Sequence, residues 1–358
     1  RHKKAKLARF AARVAKIQQK IKALGAEETS MKVLITGALG RVGVMVVEEA
    51  LAKGFEVRAT DLDNPKNRET GAAFAKRGVE VHYGNLLDDA FLKGLLQGVD
   101  AVMHNAAMLP PHTETKPEIA RKINVGVTKK IVELIAQMSP MPRLIFPSSF
   151  TVFGQAKTAD SFKAVGDALD PNTEYTRHKA DCEGIIRASG IPFVIVRLGA
   201  AIDGRETSNT DKELLVMGFV IAADTPEHWV HPKDVALAQC NACVSAEAVG
   251  NIYHLGGPDE NCRVAHYELV NAAFDAMGLK ISRDIFGKTF FNGHWMDTKE
   301  SQRVLQFQRH NMEDYRNEYR AKFKSIKPLT KPLAFILNPL ISWYMGRLVK
   351  NAKDIIAH

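Results

Sequence analysis

From Met31 onward the chain alternates short, nearly unbroken runs of Val, Ile, Leu and Ala with longer mixed stretches. Lys32–Thr36, Glu56–Thr60, Val79–Tyr83, Ala101–His104, Arg143–Pro147, Phe193–Arg197 and Asn251–Leu255 have the length and content of strands. Arg41–Lys53, Glu118–Gln137 and Glu174–Ser189 between them have the length of helices. Strands that lack polar alternation are covered on both faces, and strands joined through helices pair in parallel. The expected fold is therefore α/β, a doubly wound parallel sheet with a smaller, mostly helical C-terminal lobe where the rhythm breaks at 199–230 and again after 256. A chain of 358 residues has room for that one large core and an appendage.

The first strand runs into Thr36-Gly37-Ala38-Leu39-Gly40-Arg41-Val42-Gly43 and then into a helix. Glycines at 37, 40 and 43 permit a tight turn, close approach of a pyrophosphate to backbone N–H groups, and close helix–strand packing. The helix start beyond them favours an anion. Strand, glycine turn and helix together are the context that a Rossmann dinucleotide site requires. Asp61 follows the second strand, where a carboxylate accepts hydrogen bonds from the adenosine ribose hydroxyls and repels a 2′-phosphate. NAD is accordingly expected ahead of NADP. Asp63 is placed to share that task, and Arg41 is a basic residue near it.

Tyr175 and Lys179 lie four residues apart in Glu-Tyr-Thr-Arg-His-Lys, and Ser149 lies upstream at the end of an apolar run. On a helix that spacing puts phenol and ammonium on one face. A phenol holds its proton to about pH 10, and an adjacent ammonium favours the phenolate. With a serine hydroxyl to hold the reacting oxygen, the three form a kit for moving a proton on or off an alcohol.

These motifs resemble, in order, those of the extended short-chain dehydrogenase/reductase family, which contains nucleotide-sugar epimerases, sugar dehydratases and 3β-hydroxysteroid dehydrogenases. TGALGRVG is similar to T-G-x-x-G-x-x-G, and Gly84-Asn85-Leu86 to the G-D-L that borders adenine, with Asn85 in place of Asp. His104-Asn105-Ala106-Ala107 resembles H-x-A-A beside the cofactor ribose, and Asn124-Val125-Gly126-Val127-Thr128 the N-V-x-G-T of the central helix. Pro147–Gly154 resembles S-S-x-x-V-Y-G, Tyr175 and Lys179 match Y-x-x-x-K, and Arg197 resembles the arginine of an R-P pair whose proline is here Leu198. His231–Ala236 resembles H-V-x-D-V-A. The resemblance runs from Met31 to about Phe307.

The resemblance implies a cofactor site made of Gly37, Leu39, Gly40, Arg41, Val42, Gly43, Asp61, Asn85, Leu86, Asn105, Ala106, Ala107, Asn124 and Lys179. It implies catalysis by Ser149, Tyr175 and Lys179. In the oxidative direction Tyr175 as phenolate takes the alcohol proton while a hydride passes to the nicotinamide. Lys179 depresses the phenol's pKa and binds the nicotinamide ribose, and Ser149 holds the substrate oxygen. The leading expectation is an NAD(P)-dependent oxidoreductase acting on a secondary alcohol or ketone. A nucleotide-sugar epimerase that recycles its NAD, and a non-catalytic nucleotide-binding scaffold, are the alternatives. Phe150 and Thr151 after Ser149 do not titrate, which counts against a dehydratase. A homodimer through Glu118–Gln137 and Glu174–Ser189 also rests on the resemblance.

The expected divisions are a basic arm at 1–30, a nucleotide-binding domain at 31–198, a substrate lobe at 199–325 interleaved with the last sheet strands, and an amphipathic segment at 326–358. The arm holds nine of the 49 basic and two of the 40 acidic residues, so the rest of the chain is nearly neutral. A nearly neutral body argues against a nucleic-acid-binding core. Leu7, Phe10, Val14, Ile17, Ile21 and Leu24 give the arm a narrow apolar seam. Met31-Lys32-Val33 reads as a natural start, which leaves 1–30 as either a native arm or an upstream extension. Cys182, Cys240, Cys243 and Cys262 make no disulfide framework, and a cytoplasmic location is expected; Cys240 and Cys243 read as buried apolar residues, with no metal site. The apolar run Leu214–Ala223 and the Trp343-Tyr344 terminus point to a hydrophobic small-molecule substrate. Arg205, Arg263 and Arg283 are the cations that a sugar nucleotide would use. Leu333–Met345 is too short to span a bilayer. With the basic residues around it, either it or the arm is suited to peripheral membrane contact.

Overall fold

Strand β1 (Lys32–Thr36) is buried from Val33 to Thr36 and pairs in parallel on both sides, with β2 (Glu56–Asp61) and with β4 (Ala101–His104). Strand β3 (Glu80–Tyr83) adds outside β2. On the other side follow β5 (Arg143–Ser149), β6 (Phe193–Leu198) and β7 (Asn251–Leu255), all parallel, so the order is β3-β2-β1-β4-β5-β6-β7. The computed structural model describes residues 30–204, 216 and 218–351. All seven strands fall where the apolar runs predict them, three with the same bounds and four with one end moved by one or two residues. The order reverses between β1 and β4, and the crevice beyond the carboxyl ends of those strands is where such sheets bind ligands.

The covering helices are α1 (Arg41–Ala52), α2 (Pro65–Ala75), α3 (Asp89–Leu95), α4 (Val127–Ile135), α5 (Glu174–Ala188) and α6 (Pro232–Val244). Helix α5 starts in a capping box between Thr173 and Thr176. Helix α6 starts with His231 as N-cap and Pro232 in the first turn, and it packs against α1. One face of the sheet closes over Leu34, Leu92, Ile131, Ile135, Leu144, Ile186 and Ile195. Each is fully buried and contributes about 1.5–3 kcal/mol. Cys240 and Cys243 are free and lie on the buried side of α6, and burial pushes the Cys243 thiol up to about 12. Among the described residues no group of side chains is arranged to hold a metal.

The expected single helix Glu118–Gln137 is instead Pro117–Arg121, a π-helical turn over Lys122–Gly126, and α4. The wider turn inserts one residue into the helical register, and its centre is Asn124.

The C-terminal lobe is mostly helical, with α7 (His266–Ala276) packed on α8 (Met312–Lys322) around fully buried Trp229. Helix α9 (Ala334–Asn351) lays Met345 and Val349 against Phe219, Ala223, Ile281 and Phe286. Of the apolar run Leu214–Ala223, the described residues Phe219, Ala222 and Ala223 are thus buried in the packing of the lobe. Packing of the lobe accounts for the apolar character of Phe219 and Ala223. Two very short pairings join distant segments: Pro226–His228 with Arg263–Ala265, and Phe162–Lys163 with Trp295–Met296. No helix among the described residues is long and apolar enough to cross a membrane.

Candidate active site

The glycine turn is closed from two sides. A Cβ on Gly37, whose φ is +62°, would lie 2.8 Å from the Ala106 backbone, and one on Gly43 would lie 2.0 Å from the Gly37 carbonyl oxygen. Both therefore have to be glycine for turn, β4 loop and α1 to meet. Gly40 differs, since a Cβ there would meet only the Gly37 oxygen, at 3.4 Å. Helix α1 begins at Arg41 with no side-chain cap and no carboxylate in its first turn. Leu39, Arg41 and Val42 complete the turn.

Asp61, at the end of β2, faces this turn, and its Oδ2 accepts the Leu39 N–H at 3.0 Å. Its Oδ1 accepts from Leu62 N–H and from the Asn67 amide. Asp63 is instead held in an exposed two-pronged pair with Arg68. After β3, Asn85 accepts the Leu87 N–H at 3.0 Å and shapes the turn that carries Leu86.

After β4 the segment Asn105-Ala106-Ala107 is fixed by groups that no local pattern announces. Ala106 N–H donates to Thr36 Oγ, which leaves that hydroxyl's proton for His104 Nδ1 at 2.7 Å. Burial, and then the Lys179 ammonium, hold His104 down to about 3, so the ring is a neutral acceptor. Asn105 and Gln239 exchange both hydrogen bonds of their amides, at 2.9 and 3.0 Å. Asn124, turned inward by the π-helical turn, accepts the Met108 N–H at 2.7 Å and donates to the Met108 carbonyl at 2.9 Å.

Ser149 ends β5, and Tyr175 and Lys179 lie on successive turns of α5. The Ser149 hydroxyl lies close enough to the Tyr175 phenol to bear on its acidity, and its Oγ is 2.8 Å from Thr151 Oγ. Lys179 Nζ donates to the Pro147 carbonyl at 2.6 Å and lies 4.7 Å from the Phe146 ring centre and 5.9 Å from that of Tyr175. The structure thus brings these three residues together. It corrects the expected electrostatics, however. Burial raises the Tyr175 phenol to about 12, with the Ser149 hydroxyl as the opposing influence. Burial also lowers Lys179 to about 8. Desolvation penalises the charged form of both groups, and the ammonium is spent on a backbone carbonyl rather than on the phenol.

Residues far off in sequence hold this arrangement. Glu114 accepts the N–H groups of Glu174 and Tyr175 at 3.0 and 3.2 Å and so caps α5 from outside. Glu183, one turn beyond Lys179, takes a buried two-pronged bond from Arg197 on β6 and the Ser148 hydroxyl at 2.6 Å. Only the i, i+4 spacing of Lys179 and Glu183 could have suggested the latter. The loop after Ser149 is stitched to residues 290–297. Ala156 N–H donates to the Phe291 carbonyl, and Trp295 N–H to the Ser161 carbonyl. His294 Nε2 donates to the Gly154 carbonyl while its Nδ1 accepts from Ser161.

A cavity of about 730 Å³ opens beside the glycine turn, lined by Leu39, Gly40, Arg41, Lys66, Lys233 and His310 among others. It includes none of Ser149, Tyr175 and Lys179. The cations Arg263 and Arg283 each already hold a carboxylate, Asp259 and Asp224 respectively. Arg205 lies outside the described residues.

A parallel sheet in this order, with a glycine turn between β1 and α1, defines a Rossmann-type dinucleotide-binding protein. The family model described as the NAD dependent epimerase/dehydratase family matches residues 33–219, more than half of the chain, and the protein belongs to that family. It is similar to D-erythronate dehydrogenase of Haemophilus influenzae, 27% identical over 176 residues that cover 47% of this chain and 54% of that protein. It is also similar to sterol demethylase protein B of Methylococcus capsulatus, 30% identical over 43% of this chain and 45% of that one. The match thus spans about half the length of these relatives. Among solved structures, UDP-glucuronic acid 4-epimerase of Bacillus cereus in complex with UDP-glucuronic acid and NAD superposes with a TM-score of 0.68 at 18% identity, over 83% of this chain and all of that one. At that identity the likeness is one of fold. The turn fits NAD: Gly40 leaves its cleft side open, and α1 presents no carboxylate that a pyrophosphate would have to displace.

Proposed function

We propose that the protein is an NAD-dependent oxidoreductase that interconverts a secondary alcohol and its ketone, with Ser149, Tyr175 and Lys179 handling the proton. The observation that carries this reading is the meeting of the three side chains at the carboxyl end of β5, on the crevice side of the sheet that the glycine turn also faces. NAD, when bound, supplies the acceptor or donor of the hydride. It would be held by Gly37 to Gly43, Asp61, Asn85, Leu86, Asn105 to Ala107, Asn124 and Lys179. Oxidation would deliver the proton of the alcohol oxygen to the Tyr175 phenolate, with the hydride lost from the carbon that bears that oxygen, and reduction would run both transfers backward. Ser149 holds the substrate oxygen and stabilises its charge.

With the phenol raised to about 12, Tyr175 stays protonated through the neutral range and stands ready as the acid for a ketone. The rate of alcohol oxidation is therefore expected to climb with pH above neutrality, since only the phenolate can accept the proton. Ketone reduction is expected to stay level over the same range. Incubation with NAD and a panel of alcohols, followed by NADH absorbance, tests the proposal. Net NADH supports it; product change without NADH makes the protein an epimerase. Tight NAD binding with no turnover of any substrate makes it a scaffold.

A further inference from the structure

Helix α9 has two apolar faces, and among the described residues only one of them is packed against the protein. Met345 and Val349, with Ile341 and Leu348 alongside, pack on the lobe, and Asn338 Oδ1 accepts the Lys280 N–H at 3.0 Å. Away from that side Phe335, Ile336, Leu340, Trp343 and Tyr344 face solvent, as does Leu333 just before the helix, Phe335 at 76% and Trp343 at 60% exposure. A helix so fixed to its protein by one side does not expose aromatic rings on the other without a use for them.

Charge selects the occupant. Between Glu318 and Asp354 the chain has eight Lys or Arg and no acidic residue. Lys324, Lys331, Arg347 and Lys350 are exposed around the apolar face. A second copy docked here about a two-fold axis would set these cations against their own counterparts. The N-terminal arm, with nine basic residues against two acidic, would be repelled in the same way. A bilayer carrying anionic headgroups offers the complement, and tryptophan and tyrosine with flanking lysines are the side chains that settle at its boundary. Pro339 inside the helix, and its 18-residue length, suit a helix lying on a membrane rather than crossing it.

We propose that the outward face of α9 docks the protein on the surface of an anionic membrane, with the apolar side chains among the headgroups and the lysines against lipid phosphate.

The test uses the full chain and vesicles of phosphatidylcholine with or without phosphatidylserine. Trp229 is fully buried and Trp295 half-buried, so a vesicle-induced blue shift of the emission reports Trp343. The shift is expected with phosphatidylserine, and it should vanish in Trp343→Phe while that variant still co-sediments. Replacing Phe335, Leu340 and Trp343 together by serine should lower co-sedimentation about ten-fold or more, with the thermal melting curve unchanged because all three are exposed. Unaltered binding by the triple variant would overturn the proposal, as would binding lost only when residues 1–30 are deleted. A concentration-dependent dimer that the triple variant abolishes, with no vesicle binding by the wild type, would assign the face to a second copy instead.

Discussion

Tyr175 and Lys179 show what spacing reveals at a single residue and what it hides. The helix face they share was legible from their four-residue separation. Their protonation was not, because it depends on burial by segments far away in sequence. Under the proposed mechanism Tyr175→Phe removes the atom that exchanges the proton, and it is expected to abolish turnover while leaving NAD affinity unchanged, as measured by calorimetric titration. Lys179 makes a different prediction. Its fall from 10.5 to about 8 on folding corresponds to roughly 3 kcal/mol against the folded state when the amine is charged. The folded form binds the proton less tightly than the unfolded one, so this cost is fully present below about pH 8 and fades as the pH rises toward 10.5. Lys179→Met is expected to be inactive yet more stable in urea at pH 7, with its advantage shrinking at pH 10.

The glycine turn and its helix separate two roles that one motif combines. Gly43→Ala forces a Cβ against the Gly37 carbonyl and is expected to destabilise the protein by about 1–3 kcal/mol or more in urea melts. Gly40→Ala meets no such wall, and should melt like the wild type while binding NAD more weakly. Helix α5 depends likewise on the Glu183–Arg197 pair that ties it to β6, both residues being almost wholly buried. Glu183→Gln leaves the guanidinium without its counter-charge and should cost about 3–5 kcal/mol in the same assay. The inner strands were legible because buried parallel strands are written as nearly unbroken apolar runs, whereas β2 and β3 carry Arg58, Glu80 and His82 within theirs. The π-helical turn at Asn124 was not, since one inserted residue leaves the apolar spacing of a helix nearly intact. The pairing of Phe162–Lys163 with Trp295–Met296 is only two residues long on each side, too short to carry a period.

Across the whole molecule, the parts nearest the sheet were the most readable and the C-terminal lobe the least. Its helices bury faces against one another, and composition alone could not tell packing from a substrate pocket, as the apolar run ending at Ala223 shows. The stitching of the loop after Ser149 to residues 290–297 also sets an order in time. On the ribosome, β1 to β5 and α5 are all made before Phe291, His294 and Trp295 exist to receive that loop. Tyr175 and Ser149 are therefore synthesised early, but the segment between them stays without its partner until the chain has grown more than a hundred residues further. Stalled nascent chains ending before residue 290 should accordingly be cut by trypsin at Lys163. The full chain released from the ribosome should resist there, because Lys163 is then paired with Met296.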